Sequence, residues 1–332
     1  MGRGLERYSK DKAIEKVNKY VREGIPFVFL FNFEGDQNLV AIPAEAARAG
    51  FYMEMPGMSN HSFKIAPGAP IQFLKHPIEE ESYREAFFKV IEHIHYGNSF
   101  LLNLTFPTAI ETNYSLQDIF IRSVAPFKLY IENEIVVFSP ERFVQIHGDT
   151  IISNPMKGTI DSGLPGAYRL LASDHKEDAE HNTIVDLIRN DLSAISSNVR
   201  VMRFKYIEKL RTHQGELLQM SSEIRGKLPH NFKSTLGERL FSLLPAGSIC
   251  GAPKQKTVEI IREVEKYNRG FYTGVFGHFD GVNLDSAVAI RYIEKESTGD
   301  NLLFKSGGGV TYQSDWKKEY EEMINKVYVP IY

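Results

Sequence analysis

Residues 271–310 constrain the fold more than any other stretch. They run "FYTGVFGHF", a "DGVN" turn, "LDSAVAIRYI", a polar turn and "LLFKSGGGV", so apolar, β-prone runs alternate with short connections. Strands joined so closely pair antiparallel, because a parallel pair needs a crossover of about a dozen residues or more. Counting back from the "DGVN" turn sets Tyr272 opposite Arg291, side by side on one sheet face. Residues 135–153 repeat the pattern with "IVVF", "RFVQI", a "HGD" turn and "TIIS". An even hairpin there faces Phe143 with Ser153 and carries Glu141 and Lys157 to the same open end. Long helical patterns separate these strand groups, which predicts an α+β sandwich and not a doubly wound parallel sheet.

Two of those helices carry carboxylates at suggestive spacing. In "KEDAEHNTIVDLIRNDL" (176–192), Ile184, Leu187, Ile188 and Leu192 form one apolar stripe. Glu177 and Glu180 project from that same side, whereas Asp186, Arg189 and Asn190 point away. Carboxylates on a core-facing stripe are costly unless paired or bound to a cation, although acidic residues in a first helical turn also complement the helix dipole. In "DWKKEYEEMINKVY", Trp316, Tyr320, Met323 and Val327 make the stripe, Glu319, Glu322 and Lys326 line one flank, and Glu321 faces solvent. Two Glu-x-x-Glu helices can together form an all-oxygen site for a hard divalent ion such as Mg²⁺. No His/Cys cluster of zinc-binding spacing occurs in the sequence.

Composition closes off other classes. The 42% hydrophobic and 24% charged residues of this 332-residue chain predict a water-soluble globular protein with a sizeable core. A net charge of −3 offers no electrostatic case for nucleic acid or anionic membrane. Cys250 is the single cysteine, which excludes an internal disulfide and fits a reducing compartment. The start "MGRGLERYSK" has no apolar signal-peptide core, and a cytoplasmic location is expected. The first residues read as a helix, the strand "FVFLFNF", and the Pro/Gly/Ser-rich stretch "MPGMSNHSFKIAPGAPI", which predicts an N-terminal region over 1–77 and a main domain over 78–332. The main domain opens on a helix with Tyr83, Phe87, Val90, Ile91 and Ile94 at helical spacing and Gly97 near its end.

Two glycine-rich pieces and one lysine remain. "AGSICGAPKQKT" (246–257) fails the nucleotide P-loop pattern, because Pro253 precedes Lys254 and no Ser or Thr follows it. "SGGGV" (306–310) ends a strand just before the second carboxylate helix, where backbone N–H groups can approach an anion closely. In "NPMKGTID", Lys157 stands before the small Gly158-Thr159 pair, read here as a turn.

Taken together, "FSPERF", "NPMKGT", "AEHNTIVDLIRNDL", "PAGSICGAPK", "SGGGV" and "EYEEMINK" resemble, in order and approximate spacing over residues 78–332, the chorismate-utilising enzymes. That family includes anthranilate, aminodeoxychorismate, isochorismate and salicylate synthases. Residues 1–77 look like a shortened form of the N-terminal region with which anthranilate synthases bind tryptophan. The resemblance implies a four-layer α/β/β/α sandwich. By position, Glu180 and Glu322 look like Mg²⁺ ligands and Glu177 and Glu319 like holders of its waters, the metal gripping the ring carboxylate of chorismate. Tyr272 and Arg291 resemble the pair that holds the enolpyruvyl carboxylate. Gly307, Gly309 and Lys326 resemble the wall around the ring carboxylate, beside Gly158 and Thr159.

Within the family the motif at Lys157 resembles the Pro-Ile-Lys-Gly-Thr of aminodeoxychorismate synthases, with Met156 in place of the isoleucine, whereas anthranilate and isochorismate synthases have alanine at the lysine. Lys157 therefore resembles a nucleophile that adds to C2 of the ring, with Glu141 exchanging protons. Isochorismate and salicylate synthases carry a water-activating lysine where this chain has Leu101. Gln219 stands in place of a family histidine linked to pyruvate elimination, and Cys250 in place of a usual threonine. The expected activity is conversion of chorismate and ammonia to 4-amino-4-deoxychorismate on the route to 4-aminobenzoate and folate. The sequence has no amidase pattern of its own, so ammonia is expected from a separate glutamine amidotransferase. The alternatives are anthranilate synthase component I and a catalytically silent chorismate-binding regulatory protein.

Overall fold

The structure, a computed structural model, describes residues 5–173, 175–212, 215–296 and 299–331; the side chains of Lys157, Thr159 and Glu177 lie outside what it describes. Its first nine-stranded sheet runs β11 (Met156–Asp161), β13 (Gly215–Lys227), β10 (Thr150–Ser153), β9 (Arg142–His147), β16 (Leu284–Val288), β15 (Val275–Phe279), β1 (Phe27–Phe31) and β2 (Leu39–Ala41), with β12 (Ser197–Thr212) paired to β13. The second runs β14 (Gly251–Ala252), β6 (Leu101–Thr112), β18 (Leu302–Val310), β17 (Tyr292–Lys295), β8 (Ile135–Ser139), β7 (Phe127–Ile131), β3 (Phe51–Met55) and β4 (Met58–Ser59), with β5 (Phe73–His76) paired to β6. Every pairing among the described residues of these strands is antiparallel, as the short connections require.

The core clusters define the layers. In β1, Phe27, Phe29 and Phe31 pack under α1 (Lys10–Glu23), α6 (His175–Ile195) and α7 (Leu236–Ser242), while Val28 and Leu30 point into the space between the sheets. That double burial explains why "FVFLF" is apolar throughout instead of alternating. On the far side, α3 (Glu80–His95), α9 (Lys254–Glu265) and α10 (Trp316–Asn325) cover β6 and β18, and α4 (Leu116–Arg122) covers Phe138, Ile293 and Phe304. The order is helices, sheet, sheet, helices. Three short helices, α2 (Pro43–Arg48), α5 (Ala167–Ser173) and α8 (Gly247–Cys250), fill connections. Residues 5–77 supply strands to both sheets, β1 and β2 to one and β3, β4 and β5 to the other. No helix of the described residues is long and apolar enough to cross a membrane.

Two local expectations change. The β9–β10 hairpin turns on two residues, Gly148 (φ 60°) and Asp149, so Ile152 faces Gln145 and the register is one residue off the even count. The segment after Lys157 is the edge strand β11, not a turn: Lys157 pairs with Met220 and Thr159 with Gln219, and Gly158 (φ 68°) is the extra residue of a β-bulge. Only glycine takes that backbone without strain.

Candidate active site

Carboxylates from two helices line the glycines of β18. Gly307, Gly308 and Gly309 pair with Thr105, Leu104 and Asn103 of β6. A Cβ on Gly307 would lie 2.3 Å from the Leu104 carbonyl oxygen, so no other residue fits. A Cβ on Gly308 would stand 3.3 Å from Glu322 Oε1 and 3.4 Å from Glu319 Oε2; one on Gly309 would stand 3.6 Å from Glu180 Oε2 and 3.1 Å from Leu101 Cδ1. The strand is bare where the side chains of two helices and of Leu101 press against it.

Those helices are held by local chemistry. Asp315 caps α10, its side chain accepting from the backbone N–H groups of Lys317 and Lys318, and Ser306 donates to the Met323 carbonyl at 2.9 Å, tying α10 to β18. This buries Glu319 to 1% exposure and leaves Glu321 in solvent, as the helical spacing predicts. Lys326 donates to Glu322 Oε1 at 2.6 Å and to the Gly307 carbonyl at 2.8 Å, joining α10 to the glycine strand. On α6, Glu180 is 7% exposed, and the fully buried His181 lies 2.7 Å from Ser222 of β13, pinning the helix to the first sheet. Asp186, Arg189 and Asn190 face solvent.

A second wall lies on the first sheet. Glu141, Ser153, Met156, Ile184 and Ser248 line one cavity of about 110 Å³ between α6 and the β9–β10 hairpin. Ser248, in α8, donates to Glu141 Oε1 at 2.7 Å. The residue next to Lys157 thus shares a cavity with Glu141 despite the shifted hairpin register. Lys254, from the segment that imitates a P-loop, donates to Asp191 of α6 at 2.7 Å and to the Leu243 carbonyl at 2.9 Å, and so braces the helix that carries Glu180.

Tyr272 and Arg291 are neighbours for a different reason than a shared strand face. Pairing of β15 with β16 stops at Val275–Val288, and both Thr273 (φ 60°) and Arg291 (φ 54°) turn into left-handed backbone as the chain crosses to the second sheet. Arg291 then leads into β17, where Tyr292 pairs with Val137 and Lys305. Burial pushes the Tyr272 phenol above its ordinary pKa, against the pull of the Arg269 and Arg291 guanidinium charges, so it stays protonated at neutral pH. Arg291 Nε is buried, and among the described residues the guanidinium has no hydrogen-bond or ion-pair partner.

The donors gathered here suit a hard cation in kind, being carboxylate oxygens, two of them on nearly solvent-free residues. Among the described residues no group of three or more His, Cys, Asp or Glu side chains is close enough to hold a metal ion. Lys326 occupies one oxygen of Glu322. Glu177 precedes Glu180 by three residues on α6, with its side chain outside the described set.

Sequence reasoning missed Ser248 and His181. No local pattern marks Ser248, because its partner is 107 residues away. The buried inner face of α6 is legible in the sequence, but the contact of His181 with Ser222, 41 residues away, is not. Cys250 is fully buried and burial pushes its thiol up to about 11, which fits no amidase nucleophile. Iodoacetamide at about pH 8 should therefore label native Cys250 on the order of 10²-fold more slowly than the unfolded chain. Rapid native labelling, read by mass spectrometry, would contradict the buried placement.

Two stacked antiparallel sheets with helices outside are the fold of solved isochorismate and anthranilate synthases. The family model described as chorismate binding enzyme matches residues 44–331. An uncharacterized PabA-like protein of Pasteurella multocida is 47% identical over 319 residues, covering 96% of this chain and 98% of that protein. Aminodeoxychorismate synthase component 1 of Bacillus subtilis is 30% identical over 307 residues, covering 88% of this chain and 63% of that protein. The menaquinone-specific isochorismate synthase of Escherichia coli superposes with a TM-score of 0.75 at 17% identity, over 97% of this chain and 82% of its own. The chain belongs to the chorismate-binding enzyme family.

Proposed function

We propose that this chain is the synthase component of an aminodeoxychorismate synthase, taking chorismate and ammonia to 4-amino-4-deoxychorismate. The observation that carries it is Leu101, whose apolar side chain packs at Gly309 beside Glu180, 4% exposed. A base at that place would activate water for attack on the ring; an aliphatic side chain excludes it. The sequence offers an amine instead, Lys157, whose backbone belongs to the bulged strand β11.

Arg291 and Tyr272 bind the enolpyruvyl carboxylate: a guanidinium with no hydrogen-bond partner among the described residues and a protonated phenol are both donors. Glu180 and Glu322 would hold Mg²⁺, with Glu177 and Glu319 holding its waters; the ion would supply positive charge for the ring carboxylate. Gly307, Gly309 and Lys326 wall that carboxylate, and Gly158 with Thr159 close the side next to Lys157. The Lys157 amine, when neutral, adds to C2 of the ring. Glu141 gives a proton to the departing C4 hydroxyl, which leaves as water. Ammonia then adds at C4, the C2–N bond breaks with its electron pair returning to Lys157 as the neutral amine, and Glu141 takes up the proton lost by the entering amine. Ser248 fixes the Glu141 carboxyl for this exchange. Ammonia comes from a separate glutamine amidotransferase.

Product identification tests the proposal. Chorismate, Mg²⁺ and ammonium should give 4-amino-4-deoxychorismate without pyruvate. Anthranilate with stoichiometric pyruvate would make the chain an anthranilate synthase component I, and no Mg²⁺-dependent consumption of chorismate would make it a silent binding protein.

A further inference from the structure

Resting on the function just proposed, one feature of Arg291 points beyond it. Its guanidinium, though nearly enclosed at Nε, meets no carboxylate or carbonyl among the described residues. What it does meet is an aromatic face: Arg291 Cζ lies over the Tyr328 ring, 5.6 Å from the centroid. The backbone at Arg291 is left-handed (φ 54°) and its carbonyl accepts from Phe138 N–H at 3.1 Å, so the root of the side chain is fixed while its tip has only the ring.

Tyr328 is itself held at both sides. Lys326 is tied to Gly307 and Glu322, and Val327 is 2% exposed in the cluster beneath α4. Beyond it, Val124 N–H donates to the Pro330 carbonyl at 2.8 Å and Ile331 bridges to Ser123. The ring therefore sits on a short strap anchored at each end, two residues from the lysine that walls the carboxylate cluster.

We propose that Tyr328 is a positioning residue for Arg291. An aromatic face attracts a guanidinium through the ring quadrupole without using any N–H, which leaves the guanidinium edge free for a planar carboxylate. A carboxylate partner in the same place would neutralise the arginine and consume the donors that the substrate needs. The strap thus orients one carboxylate-binding group while its first residue, Lys326, serves the other, so both ends of a dicarboxylate are registered by one segment.

The test compares wild type, Tyr328→Phe, Tyr328→Leu and Arg291→Ala for chorismate binding by calorimetry and for KM and kcat, with melting temperature as the control for folding. Arg291→Ala should lose measurable binding. Tyr328→Leu, which keeps apolar bulk but has no ring face, should raise Kd and KM about three- to fivefold with kcat held. Tyr328→Phe should retain wild-type values. Tyr328→Leu indistinguishable from wild type, or Phe and Leu equally impaired, would overturn the positioning role alone. Wild-type protein that does not bind chorismate would overturn the functional proposal and this one with it.

Discussion

Lys157→Ala, given chorismate, Mg²⁺ and saturating ammonium, should turn over about 10²-fold or more slowly than wild type, the scale on which loss of a positioned catalytic group is felt. Without ammonia, wild-type protein should accumulate a covalent adduct visible by intact-protein mass spectrometry, and the variant should form none. A free lysine with pKa about 10.4 is almost wholly protonated at neutral pH, and only its neutral amine can attack. Activity should accordingly rise with pH as Lys157 loses its proton, and that rise should be absent from residual activity in the variant. The fold should survive, because β11 is an edge strand held to β13 by backbone pairing and the substitution leaves the Gly158 bulge intact. Full activity of Lys157→Ala would mean that ammonia attacks directly, and the lysine would no longer separate aminodeoxychorismate synthases from their relatives.

The carboxylates give the second large effect. Glu180→Gln and Glu322→Gln should each cost about 10²-fold or more in turnover, since a neutral amide is a poor ligand for a hard divalent ion and lacks the charge a buried cation requires. The neighbour Glu321 is exposed on the outer face of the same helix, and Glu321→Gln should stay within about twofold. Titration of Mg²⁺ against activity separates causes: loss of a ligand raises the metal concentration needed, whereas mere misfolding lowers the plateau and the melting temperature together. Equal losses at Glu321 and Glu322 would show that α10 presents a different face to the site from the one described.

Much of this was legible in the order of residues. The antiparallel pairing, the helices over 80–95, 175–195 and 316–325, and the faces of Glu180, Glu319, Glu322 and Glu321 all follow from local period and turn length, which act within a few residues. The β12–β13 ribbon was not legible: its register shifts at three places between Ser197 and Tyr206, and each bulge breaks the alternation by which a strand is recognised. The same physics turned the expected Gly158-Thr159 turn into a bulged strand, because whether a Gly-containing segment pairs depends on the presence of a partner edge, here β13.

What local sequence alone determined about this protein is which side chains share a face of one element, since helix and strand periods are properties of a single backbone. That the faces meet was decided only by tertiary structure. Strand β15 and its partner β16 were expected to continue as one meander into β17 and β18, yet the chain leaves the first sheet at Val288 and enters the second at Tyr292. That crossing sets Arg291 over Tyr328, and a contact between residues 37 positions apart carries no signature in either segment. Ser248 reaches Glu141, and Glu180 reaches Gly309 beside the Gly308 that α10 covers, only because two sheets stack and bring their helices and loops to a common site. Packing of distant surfaces, not periodicity, places the site.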